Sequence, residues 1–256
     1  MHGGRSYRWI PVLLMVIVAS CGDDDDAQPP NTTDAIESES RATGSGSEAS
    51  RAEDLAIAES AVLMIEDFPP GWEEGPVESP SDDPEIEAGI AECLDVPVDE
   101  LYPDNPQATS PTFISPQDEE VSSHVAVTPS PEDAQRAFER LSGDAVPGCY
   151  AQAAEVLLMQ SMLSSDDVPE GLDVGEVTFN RLSTDQIGDE SIAFRTTVPF
   201  EYQGFESQVE LDIVLARVGR VGINMSFQSA GTSFDSEEAR QLTEAVVARV
   251  ETADAG

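Results

Sequence analysis

The clearest pattern in the chain lies in its C-terminal third, where apolar and polar residues alternate in three successive runs. Ile192, Phe194 and Val198 alternate with polar neighbours. Val209, Leu211, Ile213 and Leu215 alternate with Glu210, Asp212 and less polar partners. Val221, Ile223, Met225 and Phe227 alternate with Gly222, Asn224, Ser226 and Gln228. A period of two sends one set of side chains to one face, so each run predicts a half-buried strand. Tyr202-Gln203-Gly204 and Val218-Gly219 are turn signals between the runs, which predicts an antiparallel meander. Val177 and Phe179 begin an earlier strand. Another runs from Val121 to Thr128, with Val121, Ser123, Val125 and Val127 on one face and Ser122, His124 and Ala126 on the other.

Elsewhere the period lengthens to that of a helix. Leu55, Ala58, Val62 and Ile65 share one helical face, and Phe68-Pro69-Pro70-Gly71-Trp72 stops it, because prolines cannot continue the hydrogen-bond ladder. A short helix follows, with Asp83 as cap, Pro84 in its first turn, and Ile86, Ile90, Cys93 and Leu94 on one face. Residues 95–111 contain four prolines and read as loop. Ser130 as N-cap, Pro131 behind it and the acids Glu132 and Asp133 open a helix that buries Ala134, Ala137, Phe138 and Leu141 and ends at Gly143. A longer helix spans about 147–163, with Cys149 in its first turn, and 164–171 is a polar break. The last helix starts at a capping box of Asp235 and Glu238 with a Phe234–Ala239 staple, and turns Ala239, Leu242, Val246 and Val250 to the sheet. The expectation is a single α+β domain over 53–252: an antiparallel sheet covered on one face by helices.

The N-terminus has a different character. Arg5 and Arg8 precede an apolar stretch, Trp9 to Val18, followed by the small residues Ala19 and Ser20 and then Cys21. This is the layout of a secretory signal peptide over residues 1–20, too short to span roughly 30 Å of hydrocarbon. Val18-Ala19-Ser20-Cys21 resembles a bacterial lipobox, which implies cleavage before Cys21 and lipid attached to its sulfur. The alternative is an ordinary signal peptide with a chance cysteine. Residues 21–52 are rich in Asp, Ser, Gly and Pro and poor in large apolar groups, so they read as a disordered tether. The expected partner is therefore a membrane, reached through the lipid, with the domain held on its outer face.

Composition narrows the function. The chain carries a formal net charge of −39, its cations are all arginine, and 51 residues are acidic. Nucleic-acid binding is excluded as a reading, since phosphate affinity rests on neutralising cations. After residue 20 a single histidine remains, His124, and its alternating strand suggests a surface position. No serine sits in a nucleophile elbow, no His/Cys cluster has metal-ligand spacing, and no phosphate-binding glycine loop occurs. The reading is no enzyme, no catalytic residue, no metal and no cofactor. Phe68 and Trp72 either line an apolar ligand cleft or seal the edge of a core. Arg217 and Arg220 either bind an anion or offset neighbouring acids. Setting Cys21 aside leaves Cys93 and Cys149 as an even pair in an oxidising compartment, which predicts a disulfide; two buried free thiols are the alternative.

The order of several short motifs resembles a known family. These are Asp67-Phe68-Pro69-Pro70-Gly71-Trp72, Cys93-Leu94-Asp95-Val96, Pro129-Ser130-Pro131-Glu132-Asp133-Ala134, Cys149, Gly188-Asp189-Glu190 and Arg217-Val218-Gly219-Arg220. Together they resemble the PknH-type extracellular sensor domain of actinobacterial serine/threonine kinases and LpqN-like lipoproteins. The resemblance implies a sheet-plus-helices fold with a cleft that senses or binds ligands outside the cell. The expected function is a membrane-anchored module for a small, lipidic or envelope ligand. The alternative is a non-catalytic interaction or structural component of the envelope, with a protein partner.

Overall fold

The computed structural model describes residues 44–77, 84–164, 169 and 171–254. The signal segment, Cys21 and the Asp83 cap lie outside the described residues. The helices are α1 (Gly44–Ala61), α2 (Pro84–Leu94), α3 (Val98–Leu101), α4 (Pro131–Leu141), α5 (Val146–Ser164) and α6 (Ser236–Asp254). The strands are β1 (Glu73–Glu74), β2 (Gln107–Thr109), β3 (Phe113–Ile114), β4 (Glu120–Val127), β5 (Leu172–Val174), β6 (Thr178–Leu182), β7 (Glu190–Tyr202), β8 (Phe205–Val218) and β9 (Val221–Ala230). All join one antiparallel sheet in the order β1-β3-β4-β9-β8-β7-β5, with β2 also pairing β4 and β6 also pairing β7. The fold is α+β, built on the expected meander β7–β8–β9.

Helices lie on both faces of that sheet, not on one. On the first face Val121, Val125 and Val127 of β4 stand level with Phe227, Ile223 and Val221 of β9. Met225, Val214 and Ala193 continue the surface across β8 to β7. Ala58 and Ala61 of α1 and Leu242, Val246 and Val250 of α6 close over it. On the second face Phe179, Ile192, Phe194, Leu211, Ile213 and Leu215 pack under Ile86, Ile90, Leu101, Val146 and Tyr150. The cause is legible in β8: between Leu211 and Ala216 only Asp212 is polar, so both faces of that strand need cover.

Several boundaries differ from the sequence expectation. α1 begins at Gly44, inside the segment read as tether, although residues 48–53 of it are exposed. Among its described side chains the buried ones are Ala58 and Ala61, then Leu63 just beyond its end, while Leu55 is exposed. The small alanines let α1 lie close against α6. Residues 95–111 are not all loop, since they hold α3 and β2, and β3 and β5 are short paired strands without a period long enough to read. Arg249 bonds both Asp67 oxygens at 2.9 Å and ties α6 to the turn after α1.

Local chemistry explains the joints. Ser130 accepts from the Asp133 amide at 3.2 Å and caps α4. Asp235 accepts from the Glu237 and Glu238 amides at 3.0 and 2.9 Å and caps α6. The β7–β8 turn needs two left-handed residues, Gln203 at φ 53° and Gly204 at φ 81°. Gly188 is required by contact: a Cβ there would lie 2.6 Å from the Arg217 carbonyl oxygen.

Candidate functional site

The second face changes character midway. Cross-strand register aligns its residues in rows. One row reads Thr109, His124, Asn224, Leu215 and Ile192 from β2 to β7. The next reads Ser122, Ser226, Ile213 and Phe194, and the third Glu120, Gln228, Leu211 and Thr196. Every row is apolar on β8. Every row is polar on β4 and β9, and Gln107 of β2 continues this surface opposite Ala126. The polar half is not simply a solvated face. Ser122 and His124 are 2% and 7% exposed, and Gln107, Thr109, Asn224 and Ser226 are half-buried.

His124 is the centre of this patch, and its burial corrects the surface position expected from alternation. The Thr109 hydroxyl sits 3.0 Å from its Nδ1, while its Nε2 is buried without a hydrogen-bond partner. Burial pulls its pKa from 6.5 to about 4, because a charged imidazolium loses its hydration there. The ring is therefore neutral near pH 7. Gln107 Oε1, two residues along β2 from Thr109, is likewise buried without a partner, as is Thr196 Oγ1 further across the sheet. Folded interiors pair most buried polar atoms, so a concentration of unpaired ones calls for an explanation.

Beneath α3 and α5 two phenols meet. Burial pushes the Tyr102 hydroxyl up to about 12, the Tyr150 hydroxyl beside it partly offsetting this, and burial raises Tyr150 well above its ordinary value. Each hydroxyl feels the other, yet neither makes a hydrogen bond of good geometry. Tyr150 stacks on Phe179 at 5.6 Å, and so borders the apolar half of the face.

The residues singled out in the sequence fall elsewhere. Cys93 and Cys149 are joined as a disulfide, with a Cα separation of 5.7 Å, and link α2 to α5. Cys149 is buried, but Cys93 is exposed rather than turned to the core, and Val156 of α5 is exposed at 46%. The α2 stripe runs through Ile86, Ile90 and Ala91, leaving Cys93 at its margin. Phe68 and Trp72 belong to the first face. The Phe68 ring lies 4.6 Å from both Trp72 and Phe113 and fills the edge of that core. Arg217 bonds Glu190 at 2.8 Å and Asp189 at 3.2 Å, and Arg220 meets Asp54 at 2.7 Å, so both offset acids. Every arginine among the described residues except Arg181 holds a carboxylate, and Arg181 donates to the Ser142 carbonyl. Among the described residues no group of three His, Cys, Asp or Glu side chains could hold a metal ion.

The polar rows escaped the sequence reading because each strand, taken alone, looks like a solvent-facing edge. The usable signal was that the polar positions of β4 and β9 fall on one face once the two strands pair in register.

No family model matches the sequence, and none of the curated proteins matches it significantly. Among solved structures it is similar to the extracellular domain of PknH from Mycobacterium tuberculosis. The identity is 13% and the TM-score 0.43, covering 77% of this chain and 96% of that chain.

Proposed function

We propose that this protein is an exported, lipid-anchored, non-catalytic binding module, and that it receives its ligand on the polar half of the second sheet face. The observation that carries this reading is the buried, uncharged patch around His124, whose Nε2 has no partner among the described residues. Export is supported by the signal-like segment ending at Cys21 and by the Cys93–Cys149 bond, which suits an oxidising compartment. The order of short motifs resembling exported sensor domains supports the same reading. Native mass spectrometry of the protein purified from its own host tests it. A bound small molecule that is lost on heating is the expected result. Repeated recovery without any such mass overturns it.

One observation favours a second reading, a protein-interaction component of the envelope. Phe205 stands 77% exposed where the long β7–β8 hairpin turns. Crosslinking in intact cells separates the two readings. A single dominant protein adduct that disappears with Phe205→Ser supports this second one, and adducts only to lipid or glycan sink it.

A further inference from the structure

The β7–β8 hairpin reaches past the rest of the sheet. β9 pairs with β8 only as far as Val209 opposite Ala230, and the Gly231 amide then donates to the Gln208 carbonyl at 2.8 Å. Phe205, Glu206 and Ser207 pair with β7 alone, so one edge of β8 is uncovered there among the described residues. Successive residues of a strand point to opposite faces. One row across the hairpin is therefore Leu172, Tyr202 and Phe205, and the row on the other side is Asp173, Glu201 and Glu206. Phe205 and all three acids are exposed.

The acid row departs from the rest of the sheet. Asp212 of β8 lies opposite Arg195 of β7 and bonds it at 2.6 Å, and Glu190 lies opposite Arg217 and bonds it at 2.8 Å. Glu210 meets Arg195 at 3.0 Å, and Glu120 accepts from the Gln228 amide at 3.3 Å. Glu201 and Glu206 instead face each other, with Asp173 beside Glu201. None of these three has a hydrogen bond or ion pair among the described residues. Like charges directly opposite each other destabilise a strand pair, and a phenyl ring left in water gains nothing from burial.

We infer that the hairpin tip docks a cationic protein partner, whose groove sets lysine or arginine against Glu201 and Glu206 and an apolar pocket over Phe205. The inference rests on the reading in which Phe205 meets a protein. The partner's cations supply across the interface what Arg195 and Arg217 supply within the sheet, and so fix which surface is accepted. A membrane fits poorly, because inserting Phe205 brings the three carboxylates to anionic headgroups. A second copy fits no better, since it sets one acid row, on a chain of net charge −39, against another.

The test is made in the intact host with the full chain carrying p-benzoylphenylalanine at position 205, which keeps an aromatic ring there. Illumination is expected to give one dominant protein adduct, and sequencing of the crosslinked segment to find lysine or arginine beside apolar residues. Glu201→Gln with Glu206→Gln is expected to lower the adduct at least tenfold at equal amounts of chain. Glu53→Gln with Glu59→Gln, on exposed α1 surface, makes the same change of charge and is expected to leave it unchanged. Glu201→Arg with Glu206→Arg is expected to abolish the adduct, and exchanging the sequenced cations of the partner for glutamate to restore it. The sequence of the adduct from the chain with both glutamates intact stands whether or not the variants fold. An undiminished adduct from the Gln pair, or a captured segment without lysine or arginine, overturns the cationic partner and leaves the protein-interaction reading standing. An adduct between two copies overturns it as well. Adducts to lipid or glycan alone, or none at all, sink both.

Discussion

The two faces of the sheet are built to different standards. On the first face, α1 and α6 cover a continuous apolar surface from Val121 to Val214, with the Phe227 ring at its centre tilted against Phe234 at 5.0 Å. Two polar groups buried there are paired, since Ser123 Oγ accepts from the Leu63 amide at 2.8 Å and Thr243 donates to the Ala239 carbonyl at 2.7 Å, while Ser229 Oγ on β9, level with Glu210 of β8, is buried without a hydrogen-bond partner. The second face is apolar only over β6 to β8. Its helices are held together by a covalent bond between α2 and α5, and its other half leaves polar atoms without partners. Among the described residues, buried polar atoms without partners are more numerous on the second face than on the first, which carries the larger part of the continuous apolar core.

The largest effect is expected at the centre of the first face. Phe227→Ala removes a fully buried ring and leaves a cavity between β9 and α6, costing about 3–5 kcal/mol. Urea unfolding measures it, and a loss under about 1 kcal/mol contradicts the division between the faces. Next comes the crosslink. Its sequence separation of 56 residues gives about 4 kcal/mol in the chain-entropy model, and removal of such bonds costs about 2–5 kcal/mol. Cys93→Ser with Cys149→Ser should raise hydrogen exchange in α2 and α5 and leave β4, β9 and α6 protected. Uniform loss of protection shows instead that the two faces unfold as one.

Acid should act on the second face. The unfolded chain holds a proton on His124 below about pH 6.5, and the folded chain refuses it until about pH 4. Stability from the neutral ring is therefore complete above about pH 6.5 and falls as the pH drops toward 4, by roughly 3 kcal/mol across that window. Comparing His124→Gln with the parent chain at pH 7 and pH 5 isolates the contribution. The variant should lose less stability than the parent over that interval, and equal losses show that the imidazole is not buried neutral.

How much of this was readable in advance follows the length of each pattern. The meander and α6 were legible because β7, β8, β9 and α6 each carry ten or more residues with a sustained period or a cap. β1, β3 and β5 were not, since two or three residues cannot show a period and are strands only because a neighbour pairs with them. α1 was misphased because Ala58 and Ala61 are selected for closeness to α6, not for hydrophobicity. The patch was hidden more deeply. His124 follows the polar alternation of a surface residue, and only the layer of α2–α5, which no strand pattern announces, turns that face inward.

The smallest effects sharpen the comparison most, because they are expected to differ in sign. Ser123→Ala on the first face removes the acceptor of the Leu63 amide and leaves a buried N–H unpaired, at about 1–2 kcal/mol. Thr196→Val on the second face does the reverse. Thr196 is 1% exposed, its Oγ1 has no hydrogen-bond partner, and its cross-strand neighbours on β6 and β8 are Phe179 and Leu211. Valine has nearly the same shape, so the change deletes an unsatisfied hydroxyl without opening a cavity. Stability should hold or rise, by at most about 1 kcal/mol. Urea midpoints with a common slope suffice to read both. A loss at Thr196→Val as large as that at Ser123→Ala means that the hydroxyl is already paired in solution, and the contrast between the two faces then fails at this position.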